Sequence, residues 1–587
     1  MLEKNPKSFI LFGLCVLLSS CGGSNKQQPP EIIIEAQPTE YVAPVLTATI
    51  ETPEILPTRT PRPFSPAQGG LWTNNSNEFF AAAGLCITCH QKNFDEAGND
   101  VSIGEYWRST MMANAAKDPY YLAVISSNII SYPEYGAAIE SKCSNCHMPM
   151  AYFSDRFKDG DSLIFNQQGY LDTRHPNHTL ALDGVSCTLC HQIQSEGLGE
   201  FTSFSGEPLI DPTTAAGARE IYGPYEVQQT YQDLMSRTTG FIPQRSEHLS
   251  GSEICAVCHN LNTHFVTEDG TFSETWFPEQ TPFSEWLNSD FADQSTCQDC
   301  HMPPAVGEVA LTNIGPNLFR SPYSKHSFVG GNVYMLNILK NFGGELGVGA
   351  EEENFEATIS RNLEQLESTS AELNISATSL EGAQLSFDVG IKVLTGHKFP
   401  TGFPSRRSWL HVTITDSEGQ VIFESGAVKN NGEIIGNDND QNPTEFEIHY
   451  NEITSPDQVQ IYETIMQDIN GGLTTGLLAA SSYRKDNRLL PDGFDKNSAE
   501  DEIKPYGMAI NDENFLGGTD TITYLIDVEN HTGPFSVNVE LLYQSIAYRW
   551  ALDLSSYNSE QTDLFNDYYN TLPNQPVIID IQQTEIE

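Results

Sequence analysis

Positive charge is scarce in this 587-residue chain: 30 lysines and arginines stand against 78 aspartates and glutamates, a net charge of −48. So acidic a surface disfavours nucleic acid and anionic membrane surfaces as partners and favours a basic protein or a cation. Long apolar runs are missing too. The stretch Phe9–Leu18 falls short of the roughly 20 residues that cross a bilayer, and no other stretch is long and apolar enough to do so. The apolar and aromatic fractions are those of a globular protein, with room for two or three domains.

Lys4 and Lys7 precede that apolar run, which gives residues 1–20 the shape of a secretory signal. The run closes on "LSSC", which resembles the lipobox of bacterial lipoproteins and makes Cys21 the expected lipid-modified residue. Membrane attachment is then through a lipid anchor, with the protein exported to the periplasmic or extracellular face of the cell envelope. Gly22 after Cys21 leans toward outer-membrane retention. Residues 21–70 carry nine prolines and no core-forming pattern, a tether reaching on the order of 100 Å when extended.

No cysteine is left over once Cys15 in the leader and Cys21 are set aside. The other ten form five copies of one pattern: "CITCH" (Cys86, Cys89, His90), "CSNCH" (Cys143, Cys146, His147), "CTLCH" (Cys187, Cys190, His191), "CAVCH" (Cys255, Cys258, His259) and "CQDCH" (Cys297, Cys300, His301). C-x-x-C-H is the attachment signature of c-type haem, because two cysteines about a helical turn apart reach both vinyl groups of one porphyrin while the histidine reaches iron. Zinc ribbons do not require the adjacent histidine, and a thioredoxin-like site needs one pair. Five covalently attached haems are expected, unevenly spaced and close enough for the porphyrins to supply much of the core. "CHMP" at 146–149 and 300–303 places a proline where each motif helix should end.

Nine of the fourteen histidines lie outside the motifs. His411 falls on a strand, on its less buried face, and with His449 and His531 reads as structural. His175, His178, His248, His264 and His326 lie among the motifs and are candidates for the second axial ligand of iron. His175 and His178 are too close for both to serve, and His178 is preferred, set apart by Pro176. One iron is then left for Met112, for His397 in "LTGHKFPTGFP", or for neither. Methionine would raise that iron's potential relative to a second histidine. The His397 loop, stiffened by Gly396, Pro400 and Gly402, would present its imidazole across a domain boundary.

"CITCHQKNF", "YWRSTMMANAAKDPYY", "GVSCTLCHQI", "SEICAVCHN" and "EWLNSDFADQSTCQDCHMP", together with "HSFVGGN", resemble the multihaem cytochromes c of the c-554 type over roughly residues 80–345. The resemblance implies stacked haem pairs, mostly bis-histidine iron, and electron transfer; relatives of the hydroxylamine oxidoreductase class add catalysis. That family often has a histidine five residues after the tryptophan of its first helix. Counted from Trp107, that position is Met112.

The resulting fold class is multidomain: a mostly helical and irregular multihaem region at 71–345, a connecting helix within 346–371, and an all-β, sandwich-like domain at 372–587 with a C-terminal extension. The last rests on alternating segments such as "AQLSFDVGIKV" and "FSVNVELLYQS". "GHKFPTGFPSRRSWLHV" resembles a C-terminal domain appended to larger multihaem cytochromes. The acidic turn "GNDND" at 436–440 is a weak calcium candidate. An electron carrier exchanging with a redox protein or an extracellular donor or acceptor is the leading expectation. An oxidoreductase of a small nitrogen or sulfur compound at one open haem, and a homo-oligomeric cytochrome filament, are the alternatives. The C-x-x-C-K motif of ammonia-forming nitrite reductases is absent.

Overall fold

Helix turns in the N-terminal half carry the motifs, beside three two-stranded sheets, and the larger sheets come later. The computed structural model describes residues 74–314 and 318–587; the leader, Cys21 and the tether lie outside the described residues. Helices α1 (Gly84–Ile87), α2 (Gly136–His147), α3 (Cys187–Cys190), α4 (Glu253–His259) and α6 (Cys297–His301) hold the five motifs, with α5 (Pro282–Leu287) between the last two. Their apolar side chains are shared among several small clusters instead of one large core. Pro149 does more than stop α2. After the single residue Met148 it opens a new helix, Pro149–Arg156, where a missing N–H costs nothing. No described helix is long and apolar enough to cross a membrane.

Helix α7 (Glu352–Thr369) leads out of this half, capped by reciprocal bonds between Glu351 and Asn354 and burying Phe355 and Leu366. Period-2 alternation then takes over. The strands are β1 (Ala371–Glu381), β2 (Gln384–Val393), β3 (Arg407–Thr415), β4 (Val421–Ser425), β5 (Glu452–Ile453), β6 (Ile461–Gln467), β7 (Leu473–Thr474), β8 (Ser482–Asp486), β9 (Thr519–Asp527), β10 (Phe535–Gln544) and β11 (Val577–Ile586). One sheet runs β5-β9-β2-β1; the other runs β7-β6-β3-β10-β11, with β4 also on β3 and β8 also on β6. Leu385, Phe387 and Val389 from the first sheet share a core with Leu410, Val412, Ile414, Val537 and Val539 from the second. Each such side chain contributes about 1.5–3 kcal/mol on burial. On β3, His411 is half-buried and bonds Glu540 at 2.8 Å and Glu424 at 3.1 Å.

The two halves are not joined by a linker alone. Between β10 and β11 the chain leaves the sheet, and its helix Glu560–Thr571 puts Phe565, Tyr568 and Tyr569 into one cluster with Tyr120, Leu336 and Leu339 from the N-terminal half. The described residues, from 74 onward, therefore fall in one compact unit.

The calcium expectation for "GNDND" is corrected here. Both carboxylate oxygens of Asp440 accept from Arg407, each at 2.9 Å, and one also takes the Ile434 N–H, all of it buried. That carboxylate faces the core and is committed to Arg407 and the Ile434 N–H, turned away from a cation at the surface. Because Asp440→Ala would strand the Arg407 charge in the interior, it should lower unfolding stability by about 3–5 kcal/mol, read from the denaturation midpoint.

Candidate haem-binding site

None of the ten motif cysteines is taken up in a disulfide. They are nonetheless close to one another across motifs. Cys86 meets Cys187, Cys146 meets Cys258, and Cys255 meets Cys297, each pair within hydrogen-bonding reach. Cys190 lies within electrostatic reach of Cys255 and Cys258. The fold thus gathers the five motifs, spread over more than two hundred residues, into one connected cluster of attachment points.

Four of the five motif histidines are oriented alike. Nδ1 donates to a backbone carbonyl in His90 (Leu311, 3.0 Å), His147 (Ala115, 3.3 Å), His191 (Tyr222, 2.6 Å) and His301 (Val329, 2.6 Å). A carbonyl only accepts, so the proton sits on Nδ1 and Nε2 keeps its lone pair for a metal. Burial also pushes the imidazoles of His147 and His259 down to about 4, which keeps them neutral and ligand-competent near pH 7.

Two imidazole pairs face each other. The rings of His191 and His326 are 6.5 Å apart between centroids and 15° from parallel; those of His301 and His397 are 6.2 Å apart and 12° from parallel. Two metal–nitrogen bonds of about 2 Å, with about 1.1 Å from each nitrogen to its ring centre, put the centroids about 6.3 Å apart. Both pairs match that span. His326 donates Nδ1–H to Ser324 at 3.1 Å and His397 donates to Lys398 at 2.9 Å, so their Nε2 atoms are free as well. Burial pushes His326 down to about 4.

The other expected ligands divide. His178 donates Nδ1–H to the Tyr170 carbonyl at 2.7 Å and keeps Nε2 available. The ring of His264 lies over Trp276, 3.4 Å between centroids, and its buried Nδ1 has no partner. His248 departs from the expectation: Nε2 donates to Ile193 at 2.8 Å and Nδ1 takes Ser246 Oγ at 2.6 Å, leaving no nitrogen for iron. His175, the less preferred of its pair, is engaged elsewhere: Nδ1 accepts the Asn177 N–H and Nε2 faces Asp155 at 3.8 Å. Met112 lies in a turn, half-buried, its carbonyl taking the Val185 N–H two residues before Cys187. The backbone there is tied to the third motif.

Against known proteins the chain stands well apart. No family model matches it, and no curated protein does. Among solved structures it is similar to a penta-heme cytochrome c552 from Thermochromatium tepidum, at 15% identity and a TM-score of 0.46, over 86% of this chain and 98% of that one.

The loop that presents His397 is gripped from the N-terminal half. Glu285 on α5 accepts the Lys398 N–H at 3.2 Å and the Thr401 hydroxyl at 2.5 Å through one oxygen, while the other meets Arg488 at 2.9 Å. Asp486 answers Lys398 at 2.8 Å and Arg488 at 2.8 Å. These four charges are buried. Burial alone would raise the Asp486 carboxyl, but Arg488 and Lys398 beside it bring it to about 2. Gly396 eases this approach, since a Cβ there would stand 3.0 Å from the Phe291 side chain, tighter than ordinary contact.

A second cluster, His449 with Asp512 and Asp520, has spacing that suits a cation. Its hydrogen bonds argue otherwise. Nδ1 of His449 accepts from Gln460 and Asn487, at 3.0 and 3.1 Å. Those amides are held in that orientation because their oxygens accept the Tyr450 and Glu463 N–H groups. The imidazole proton is therefore on Nε2, given to Asp512 at 2.9 Å. This is a satisfied core network.

Proposed function

We propose that the chain is a pentahaem c-type cytochrome that carries electrons. The observation that carries this reading is five C-x-x-C-H motifs brought near one another, with cysteines of different motifs within hydrogen-bonding or electrostatic reach. A bound haem supplies reversible one-electron iron chemistry. The protein does the rest. Ten cysteines would hold the porphyrins through thioethers, the five motif histidines would offer Nε2 to iron, and backbone carbonyls hold four of those rings in the right tautomer. Cys86 against Cys187 sets the first site beside the third, and Cys146 against Cys258 sets the second beside the fourth. Cys255 against Cys297 sets the fourth beside the fifth, and Cys190 links the third to the fourth. The fourth site is then the junction.

His326 completes the third site and His397 the fifth, with His178, His264 and Met112 serving the others. The β-rich half contributes a ligand and is therefore part of the redox unit. Export, the lipid anchor on Cys21, a place at the cell envelope and a basic or extracellular redox partner complete the reading; a surface of net charge −48 supports the basic partner.

Spin state tests the carrier against the enzyme. The carrier reading expects every haem of the purified protein to be low-spin, with a spectrum unmoved by cyanide, nitrite or hydroxylamine. A high-spin haem that shifts on adding any of the three would favour an oxidoreductase instead.

A further inference from the structure

We infer that Glu285 is a positioning residue for the fifth haem site, acting through the Lys398 backbone on the ring of His397. The inference rests on the reading that His301 and His397 hold one iron between them. The chain of contacts is short. Glu285 Oε2 takes the N–H of Lys398, and the carbonyl of that same residue takes the Nδ1–H of His397. Fixing Lys398 therefore fixes the plane and tautomer of the imidazole that faces His301.

Glu285 also grips the far side of the loop, through the Thr401 hydroxyl at 2.5 Å. One carboxylate thus holds the loop at the residue after His397 and again three residues further on. Further up the same turn, Ser289 donates to the Gly396 carbonyl at 2.9 Å and Thr395 donates to the His397 carbonyl at 2.6 Å. Glu285 itself is held by Thr281 at 3.1 Å and by Arg488, which is shared with Asp486. Two acids and two bases meet there with no net charge, and the acids carry the cost of burying Lys398 and Arg488.

A buried set of charges at a junction between two halves would also serve plain stability. What separates positioning from stability is where Glu285 makes its bonds. They go to the N–H of the residue next to the ligand and to a hydroxyl further along the same loop, and the ligand's own ring bond is made to the carbonyl of that neighbouring residue. Loss of the Glu285 charge should therefore appear at the iron, and not only in the melting curve.

The test uses the full-length, haem-loaded protein carrying Glu285→Gln. The shape is kept, but Arg488 and Lys398 lose one of their two anions. Loss of the low-spin signal from one haem of the five is expected, recovered when imidazole is added, because free imidazole replaces a ligand but does not repair a fold. Thr401→Val, which leaves all charges in place, should give a smaller loss of the same imidazole-reversible kind. His397→Ala should give the full loss. The inference is overturned if Glu285→Gln and Thr401→Val both stay fully low-spin while His397→Ala turns one haem high-spin. If His397→Ala changes nothing, the axial assignment itself fails and this inference falls with it. Should Glu285→Gln yield no haem-loaded protein, Thr401→Val decides alone: an imidazole-reversible loss supports the inference, and none overturns it.

Discussion

Replacing Cys255 and Cys258 together by serine is expected to leave four haems on the chain and to cut its electron path. The fourth motif is where the others meet: Cys255 touches Cys297, Cys258 touches Cys146, and Cys190 lies close to both. Without it, the first and third sites form one island, while the second and fifth are separated from it and from each other. After rapid partial reduction, equilibration among the haems should then be slow or incomplete. A double change of Cys143 and Cys146 to serine is the matched control. It also leaves four haems, but the first, third, fourth and fifth sites stay connected and equilibrate as before. Equal kinetics in the two variants would contradict the junction. The fourth-site variant should also be the less stable than the parent by at least about 3–5 kcal/mol, since a porphyrin fills more space than the aromatic side chains whose truncation costs that much.

Changing His326 to methionine should raise the potential of the third haem. Histidine–methionine iron is harder to oxidise than bis-histidine iron. The shift should be a sizeable part of the roughly 0.8 V that axial ligands span. Its size makes it readable in an equilibrium titration of the whole protein as one wave moving away from the others. His326→Ala should instead turn one haem high-spin. The pair geometry behind both predictions is the 6.5 Å separation and near-parallel setting of His191 and His326. A titration identical to that of the unaltered protein would remove His326 from the iron.

The parts of this molecule that were legible in sequence are those written in adjacent residues. Five C-x-x-C-H motifs need no partner to be recognised, and the alternation of Leu385, Phe387, Val389 and Ile391 marks a half-buried strand by itself. A lone histidine is different. His248 and His326 look alike as sequence, and what separates them is a carbonyl 55 residues away, at Ile193, against a ring at His191. Asp440 sits in a turn that suits a cation, and only Arg407, on a distant strand, shows that its carboxylate points inward. Glu285 drew no notice, because Lys398, Asp486 and Arg488 are brought to it by the fold alone. The aromatic residues of Glu560–Thr571, which bind the two halves into one unit, were likewise hidden in an unremarked C-terminal extension. His397 lies between these extremes. Its glycine- and proline-rich loop was visible, and its partner was not.

The most direct test of the central claim is the intact mass of the mature protein after denaturation, which strips any group not held by a covalent bond. Five covalently attached haems predict a mass equal to the processed polypeptide, with any lipid on Cys21, plus five porphyrin units. A mass short of five units, or haem that washes away on unfolding, would contradict the account.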